Sequence, residues 1–298
     1  MPLSLAAWWS MLRQIGSCWI EDYAPSMGAA LAYYTLFSLA PLLLIVIAVA
    51  GLVFGEEAAR GEITAQLHSL MGEGGARAVQ DLLASVHQPA EGAAATLVGV
   101  VLLFVGATTV FGELQDALDR IWRAPATRTH SGWFTLLRAR LLSFGMILAI
   151  GFLLTISLVV SAALALMERW LEPTTGGWLA VASVASAVGG FALVAVMFAL
   201  IYKVMPRVRV QWRDVWTGAL FTALLFSLGK WGIGFYLGRS GVVSGYGAAG
   251  SLVVVLLWVY YSAQIFLIGA EFTWVYANTY GSRRPVVQGQ VQVQGRPS

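Results

Sequence analysis

The sequence predicts an all-α protein, a polytopic bundle of six membrane-spanning helices, and three observations support this fold class. The chain of 298 residues is 58% hydrophobic and only 11% charged, whereas a soluble domain has about 45–50% apolar and about 25% charged residues. The apolar runs are spread along nearly the whole chain, which indicates one membrane domain rather than several soluble ones. The basic residues are distributed unevenly among the segments that join these runs.

Six apolar runs are long enough to cross a hydrocarbon core of about 30 Å. They lie at residues 29–54, 94–111, 141–167, 178–202, 215–237 and 248–272. Because backbone polar groups in lipid must be hydrogen-bonded within their own segment, each run is predicted to be a helix. The membrane domain built from these spans covers residues 29–280.

The positions of Lys and Arg predict the orientation of the bundle. Thirteen of the 18 basic residues flank the spans on the side that carries both termini, four lie on the opposite side, and Lys230 lies inside the fifth span. Segments rich in Lys and Arg stay in the cytoplasm. Both the N- and the C-terminus are therefore predicted to be cytoplasmic.

The two ends of the chain are predicted to lie outside the bundle. Residues 1–28 carry apolar side chains near helical spacing, but Arg13 and Gln14 interrupt the continuous apolar core that a cleaved signal peptide requires. We therefore predict an amphipathic helix that lies in the membrane interface. The tail, residues 281–298, is polar and has no helical period, so we predict that it is disordered in the cytoplasm.

The first outer loop, residues 55–93, is long and acidic, with six carboxylates and two arginines. It contains two groups of apolar residues at helical spacing, separated by a glycine-rich segment at 72–75. This pattern predicts two short amphipathic helices that cap the outer mouth of the bundle.

The sequence offers little support for catalysis. Glu113, Asp116 and Asp119 recur every three residues and could present carboxylates to Mg²⁺. However, Asp116 and Asp119 each have an arginine four residues later, which is the spacing of ion pairs on a solvated helix face. The three histidines are far apart, and the chain has no hydrolase or nucleotide-binding motif. We therefore predict no enzymatic activity, no metal site and no cofactor.

Charged residues in the spans are the main functional candidates, because holding a charge in a membrane costs free energy. Lys230 lies about 22 Å along its helix from the inner face, where snorkelling to the outer headgroups is the alternative role. Glu271 lies near the cytoplasm, so a direct ion pair between Lys230 and Glu271 is not expected. Lys203 is the better partner for Glu271. Together with Glu113 they could form a cytoplasmic gate, or an interfacial ring that only orients the bundle.

Polar side chains within the first and sixth spans are further candidates. At such depth a polar group should face protein or a water-filled cavity. The residues concerned are Tyr33, Tyr34, Tyr260, Tyr261 and Gln264. They could line a transport pathway, or they could make hydrogen bonds between packed helices.

Several motifs occur in a fixed order between residues 24 and 280. They are Ala32–Pro41, Leu114-Gln115, Ala117-Leu118, Ile121-Trp122, Tyr202-Lys203 with Pro206, Trp212–Val215 with Gly218-Ala219, Tyr246–Gly250, Trp258–Gln264 and Gly269–Phe272. Together these motifs resemble those of the YihY/BrkB family of membrane proteins. Asp119 departs from the family pattern, in which Asn is expected before Arg-Ile-Trp.

The resemblance implies a multi-pass protein of the bacterial inner membrane. The family once carried the label ribonuclease BN, its BrkB branch is linked with resistance to serum killing, and transport of lipids or other amphipathic molecules is suspected in it. We expect a transporter or exporter of a lipid, an amphipathic molecule or a small solute. The alternative is a non-catalytic envelope scaffold, and a ribonuclease is least favoured. The expected partners are membrane lipids and such a substrate, with no nucleic acid, and small residues in the spans would allow a homo-oligomer.

Overall fold

A computed structural model describes residues 5–86, 109–125, 176–239 and 250–284 of the chain. These residues form helices α1 (Leu5–Glu21), α2 (Ala24–Phe54), α3 (Glu56–Val86), α4 (residues 109–121), α5 (Gly176–Val204), α6 (Trp212–Arg239) and α7 (Gly250–Thr279). The predicted span 141–167 lies outside the described residues, as does nearly all of the span 94–111. Residues 240–249, between α6 and α7, also lie outside them.

The described part of the chain confirms the all-helical fold class. The predicted spans 29–54, 178–202, 215–237 and 248–272 fall on α2, α5, α6 and α7. Among the described residues, two helices contain a stretch long and apolar enough to cross a membrane, at Ala187–Val204 and at Leu252–Thr279. The total of six spans and the side on which each terminus lies stay predictions.

Helices α1 and α2 are joined by a two-residue turn at Asp22 and Tyr23. Tyr23 has a left-handed backbone conformation with φ 58°, which only a few per cent of non-glycine residues adopt. Pro25 follows in the first turn of α2, where its missing N–H would have had no partner in the helix. This turn separates α1 from α2, and α1 packs against α7.

Helix α1 has two apolar faces. Met11, Ile15 and Cys18 are buried against Phe272 and Val275 of α7. On the other face Trp9 is 72% exposed and Ile20 is 67% exposed. A helix that packs on the bundle while it exposes large apolar side chains suits the predicted interfacial position.

The first outer loop does not fold into two short helices, so that prediction was wrong. Glu56–Val86 form one continuous helix of 31 residues, α3. Its apolar face packs along α2 and α7 through Leu67, Ala78, Val79 and Leu83, which meet Leu36, Leu39, Leu43 and Val255. A glycine inside a helix costs only about 0.5–1 kcal/mol relative to alanine. This packing continues on both sides of the glycines and outweighs that cost.

Helices α6 and α7 lie so close that a threonine side chain of each packs directly on a glycine of the other. A Cβ atom at Gly218 of α6 would overlap Thr273 of α7, and a Cβ atom at Gly269 of α7 would overlap Thr222 of α6. In each helix the glycine is followed four residues later by a threonine, and that threonine occupies the space beside the glycine of the other helix. Small residues at such contacts are typical of membrane helices, which associate through close packing.

The outer face of α6 carries a continuous apolar stripe. Its members are exposed and follow one another at intervals of three or four residues: Trp216, Leu220, Leu224, Leu228, Trp231 and Phe235. Monomeric soluble proteins rarely expose apolar patches larger than a few hundred Å². The stripe is the surface expected of a helix that faces lipid.

Candidate functional site

Segments that are distant in sequence meet at one end of the bundle, here called the polar end. It contains the turn between α1 and α2, the end of α4, the loop 205–211, the start of α6 and the end of α7. Several of these segments carry basic residues. The polar end is therefore the end that the distribution of Lys and Arg predicts to be cytoplasmic.

Glu271 is the central residue of the polar end. Its side chain is 0% exposed, and neither of its carboxyl oxygens accepts a hydrogen bond within the described part of the chain. The charged groups that act on it most strongly are those of Asp22, Arg123 and Glu21. An ionised carboxylate is costly to bury unless it is paired and hydrogen-bonded. Glu271 is therefore the least satisfied polar group among the described residues of this end.

Arg123 is held beside Glu271 by an aromatic ring. Its guanidinium carbon lies 4.4 Å from the ring centroid of Trp274, and Trp274 lies one turn after Glu271 on α7. Arg123 has φ 49°, so its backbone, like that of Tyr23, is in the left-handed region. Such conformations cluster at functional sites. These two are the only non-glycine examples in the described ranges, and both adjoin the site.

Lys203 is not the partner of Glu271. Its ammonium group donates to the carbonyl oxygen of Val210 and lies 5.3 Å from the ring centroid of Trp212. The structure instead groups Glu271 with Asp22 and Arg123, which the sequence reasoning did not connect. Glu113 is half-buried on α4.

Lys230 and Glu271 lie at different levels of the bundle, as predicted. Gly229 of α6 lies against Tyr261, whereas Gly218 lies against Thr273. Lys230 is therefore level with about residue 261 of α7, ten residues from Glu271, which corresponds to about 15 Å along the helix axis.

The polar candidates of α2 and α7 divide into two groups. Tyr260 and Gln264 pack over Gly28, and the Gln264 amide donates to the carbonyl oxygen of Ala24 at 3.4 Å. Tyr261 packs on Gly229 of α6. The three side chains thus lie at helix contacts.

Tyr33 lies outside these contacts. It is 56% exposed and makes edge contacts with Tyr34 and Phe37, at centroid distances of 5.5 and 4.9 Å. Tyr34 is half-buried. Tyr33 and Tyr34 therefore contact each other at the surface of α2 and lie apart from Glu271.

The sequence reasoning missed a hydrogen-bonded cluster of α5, α6 and α7. The Tyr202 hydroxyl donates to the carbonyl oxygen of Phe266 at 2.7 Å and lies 3.0 Å from the Thr222 hydroxyl oxygen. Thr222 in turn donates to the carbonyl oxygen of Gly218 at 2.7 Å. The Gly-x-x-x-Thr spacing in both α6 and α7 is the signal that could have revealed it.

Asp119 departs from the predicted role of a solvated, i,i+4-paired residue. It is 9% exposed, accepts the backbone N–H of Arg207 at 2.7 Å, and forms an ion pair with the Arg207 side chain at 3.3 Å. Gln115 adds a bond to the carbonyl oxygen of Met205 at 3.0 Å. These side chains therefore attach α4 to the loop 205–211, because the loop supplies a closer arginine than the helix does.

Replacing Asp119 by Asn should raise the melting temperature at neutral pH. Burial raises the pKa of Asp119, and this effect exceeds the lowering by the Arg207 hydrogen bond and charge. The stability that the protonated form contributes is complete below the unfolded pKa of about 4. It is lost as pH rises through the higher folded pKa. Asn stays neutral and keeps an acceptor for the Arg207 N–H.

Thermal unfolding of both proteins in detergent, from about pH 4 to about pH 8, checks this prediction. The advantage of Asp119→Asn should vanish at the acid end. Asp119→Ala is the control: it leaves the N–H of Arg207 without an acceptor, which costs about 1–3 kcal/mol. An Asn variant that melts below the wild type at neutral pH would contradict the prediction.

The segment after α7 is hydrogen-bonded to the start of α6. Asp214, which is 2% exposed, accepts hydrogen bonds from the backbone N–H and the hydroxyl of Ser282. The Arg283 guanidinium lies 5.0 Å from the ring centroid of Trp122. Ordered structure thus continues to residue 284, four residues into the segment predicted to be a disordered tail. Residues 285–298 lie outside the described residues.

The all-helical fold, the two long apolar helices and the exposed apolar stripe of α6 are features of a helical membrane protein. The family described as Virulence factor BrkB matches residues 17–291. The chain belongs to this family, as its motifs predicted.

Curated relatives carry a membrane name as well. The chain is 30% identical over 254 residues to a UPF0761 membrane protein of Xanthomonas campestris pv. campestris (strain B100), which covers 85% of the chain and 57% of the relative. A UPF0761 membrane protein of Xanthomonas axonopodis pv. citri is also 30% identical, and one of Xanthomonas oryzae pv. oryzae is 29% identical, with the same coverage. The matched region thus spans little more than half the length of these relatives. No solved structure matches the chain.

Proposed function

We propose that this protein is a transporter or exporter of a lipid, an amphipathic molecule or a small solute across the bacterial inner membrane, with both termini in the cytoplasm. The observation that carries the proposal is Glu271, a fully buried carboxyl on the long apolar helix α7 that accepts no hydrogen bond from the described residues. Ionisable residues in such positions mark substrate or ion pathways. A purely structural role would favour an apolar residue there, since packing would then carry no desolvation cost.

The polar end also has a surface suited to an anionic headgroup. Lys203, Arg209 and Arg213 line an open depression of about 540 Å³, together with Val210, Gln211 and Trp212. Trp212 is 49% exposed, and such aromatic rings sit at headgroup level in membrane proteins. Basic pockets on the cytoplasmic side bind lipid phosphates. Among the substrate classes above, an anionic phospholipid therefore fits best.

Reconstitution into liposomes tests the proposal. The wild-type protein should move a fluorescent anionic phospholipid between leaflets faster than protein-free liposomes do. Glu271→Gln and Lys230→Ala should each slow this movement about tenfold, which corresponds to about 1.4 kcal/mol in the barrier. Glu73→Gln is the matched control, because Glu73 is exposed and pairs only with Arg77 across one helical turn, and such pairs contribute little.

A double variant, Arg209→Gln with Arg213→Gln, separates the lipid classes. It should slow the anionic phospholipid and leave a zwitterionic analogue unchanged, because the depression contributes positive charge. Wild-type movement equal to that in empty liposomes, for both lipids and for a panel of labelled small solutes, would contradict the proposed transport.

A second candidate function is a non-catalytic envelope scaffold, which the exposed face of α3 favours. That face carries the ion pairs Arg60–Glu56 and Arg77–Glu73 and would offer charged groups to a partner. Crosslinking from α3 that captures an envelope protein, in a chain without transport, would favour the scaffold. Ribonuclease activity ranks last, since the described residues offer no group of three His, Cys, Asp or Glu for a metal ion.

A further inference from the structure

The two oxygens of Glu271 need a ligand that the described residues do not supply. Both are buried and accept no hydrogen bond from the described residues. A metal ion would require three or more carboxylate, His or Cys groups in range, and the described residues contain no such set. A proton is the smallest ligand that satisfies a buried carboxylate, because the neutral carboxyl group is far cheaper to bury than the charged one.

The groups that face Glu271 come from several elements. The last residue of α1 is Glu21, the turn after it contributes Asp22, and the turn after α4 contributes Arg123. Cys18 of α1 is also near, but burial raises the pKa of its thiol, so it stays neutral at physiological pH. The described residues of α2 and α6 near this level carry no charge: they are Ala24, Met27, Gly218 and Phe221.

We propose that Glu271 and Asp22 form a proton-binding site, in which the two carboxyl groups hold one proton between them. The nearby Asp22 carboxylate adds repulsion to the cost of burying an ionised Glu271, and a proton bound at this site relieves both. Asp22 is half-buried and follows the exposed Glu21. A proton from water at the polar end therefore reaches Glu271 through Asp22, and it returns to water by the same route.

Arg123 is the residue that responds to protonation of this site. With the site protonated, its guanidinium rests over Trp274, at 4.4 Å from the ring centroid. When the proton leaves, the carboxylate of Glu271 attracts Arg123 from one side and repels Asp22 on the other. The turn between α1 and α2 then moves away from α7, while α4 moves towards it. If the proposed transport holds, on which this step rests, protonation of this site sets the pH dependence of that transport.

Infrared difference spectroscopy of the full chain, titrated from acid to alkaline pH, tests the proton site directly. The wild type should show a carboxylic-acid band that disappears on deprotonation. Glu271→Gln should lose this band, and Glu73→Gln, the exposed control, should keep it. Asp22→Asn should move the midpoint of the band to lower pH, because one negative neighbour is removed. Arg123→Gln should move it to higher pH, because a positive neighbour is removed.

The opposite shifts of the Asp22 and Arg123 variants keep the test valid even if Glu271→Gln does not fold. A band that survives in folded Glu271→Gln, or midpoints that do not shift in opposite directions, would overturn the proton site. Both results are independent of transport. Lipid flux that depends on pH in the wild type and not in Glu271→Gln adds the link to transport. A protein with the band and without flux would leave the proton site standing and contradict the proposed function.

Discussion

Gly218→Ala is expected to destabilise the bundle by about 3 kcal/mol, in the upper range for overpacking. Its new methyl group would overlap the hydroxyl and methyl groups of Thr273. Because the Thr273 side chain packs directly on the Gly218 backbone here, the methyl group can be accommodated only if the helices separate. Separation would also strain the Tyr202 and Thr222 hydrogen bonds, which lie one turn away on the same interface.

Two further variants test whether this overlap causes the loss of stability. Gly232→Ala, on the same helix, meets nothing within 4 Å and should stabilise α6 by about 0.5–1 kcal/mol through helix propensity. Gly218→Ala combined with Thr273→Gly removes the overlapping side chain and should recover most of the lost stability. Thermal unfolding in detergent measures all three proteins. Equal melting temperatures for Gly218→Ala and Gly232→Ala would show that the interface is not as close as described.

Asp214→Ala is expected to release residues 282–284 from the start of α6. It should lower the free energy of unfolding by about 2–3 kcal/mol, the range for hydrogen bonds to a charged group. The variant removes the acceptor of both Ser282 donors. It also removes a carboxylate from the first turn of α6, where negative charge stabilises a helix. Arg283 should then leave Trp122, and trypsin should cut between Arg283 and Arg284 much faster than in the wild type, whereas the bond from Arg284 to Pro285 resists trypsin in both proteins.

The control for this prediction is Asp116→Ala. Asp116 is an exposed aspartate whose side chain lies 3.8 Å from that of Arg207, and an exposed pair at this distance contributes little. Its tryptic pattern should match that of the wild type. Unchanged cleavage after Arg283 in Asp214→Ala would mean that other contacts hold the segment.

The parts of the fold that the sequence predicted are those with a one-dimensional signal. The length of the apolar runs predicted α2, α5, α6 and α7. A single segment in lipid must satisfy its own backbone hydrogen bonds, and a helix does so. The failure at α3 has the opposite origin. Its glycines indicated a break, but the choice between one helix and two depended on the surface of α2 and α7 that the helix covers.

The candidate site was predicted in part for the same reason. Glu271 stood out because a carboxyl in an apolar run is visible in the sequence alone. Its neighbours were not visible: Asp22 and Arg123 lie far from it in the chain and reach it through two left-handed turns. Lys203 had the right charge and depth, but the loop 205–211 folds back and binds it through Val210.

Modification by carbodiimides most directly tests the claim that Glu271 is a buried carboxyl that carries a proton. These reagents attack protonated carboxyl groups, and a hydrophobic one enters the bundle from lipid whereas a water-soluble one does not. Mass spectrometry of the full chain should find Glu271 modified by the hydrophobic reagent, less so as the pH rises, and Glu73 modified by the water-soluble reagent. Glu271 modified by the water-soluble reagent as fast as Glu73 would show that Glu271 is open to water, and would contradict the account.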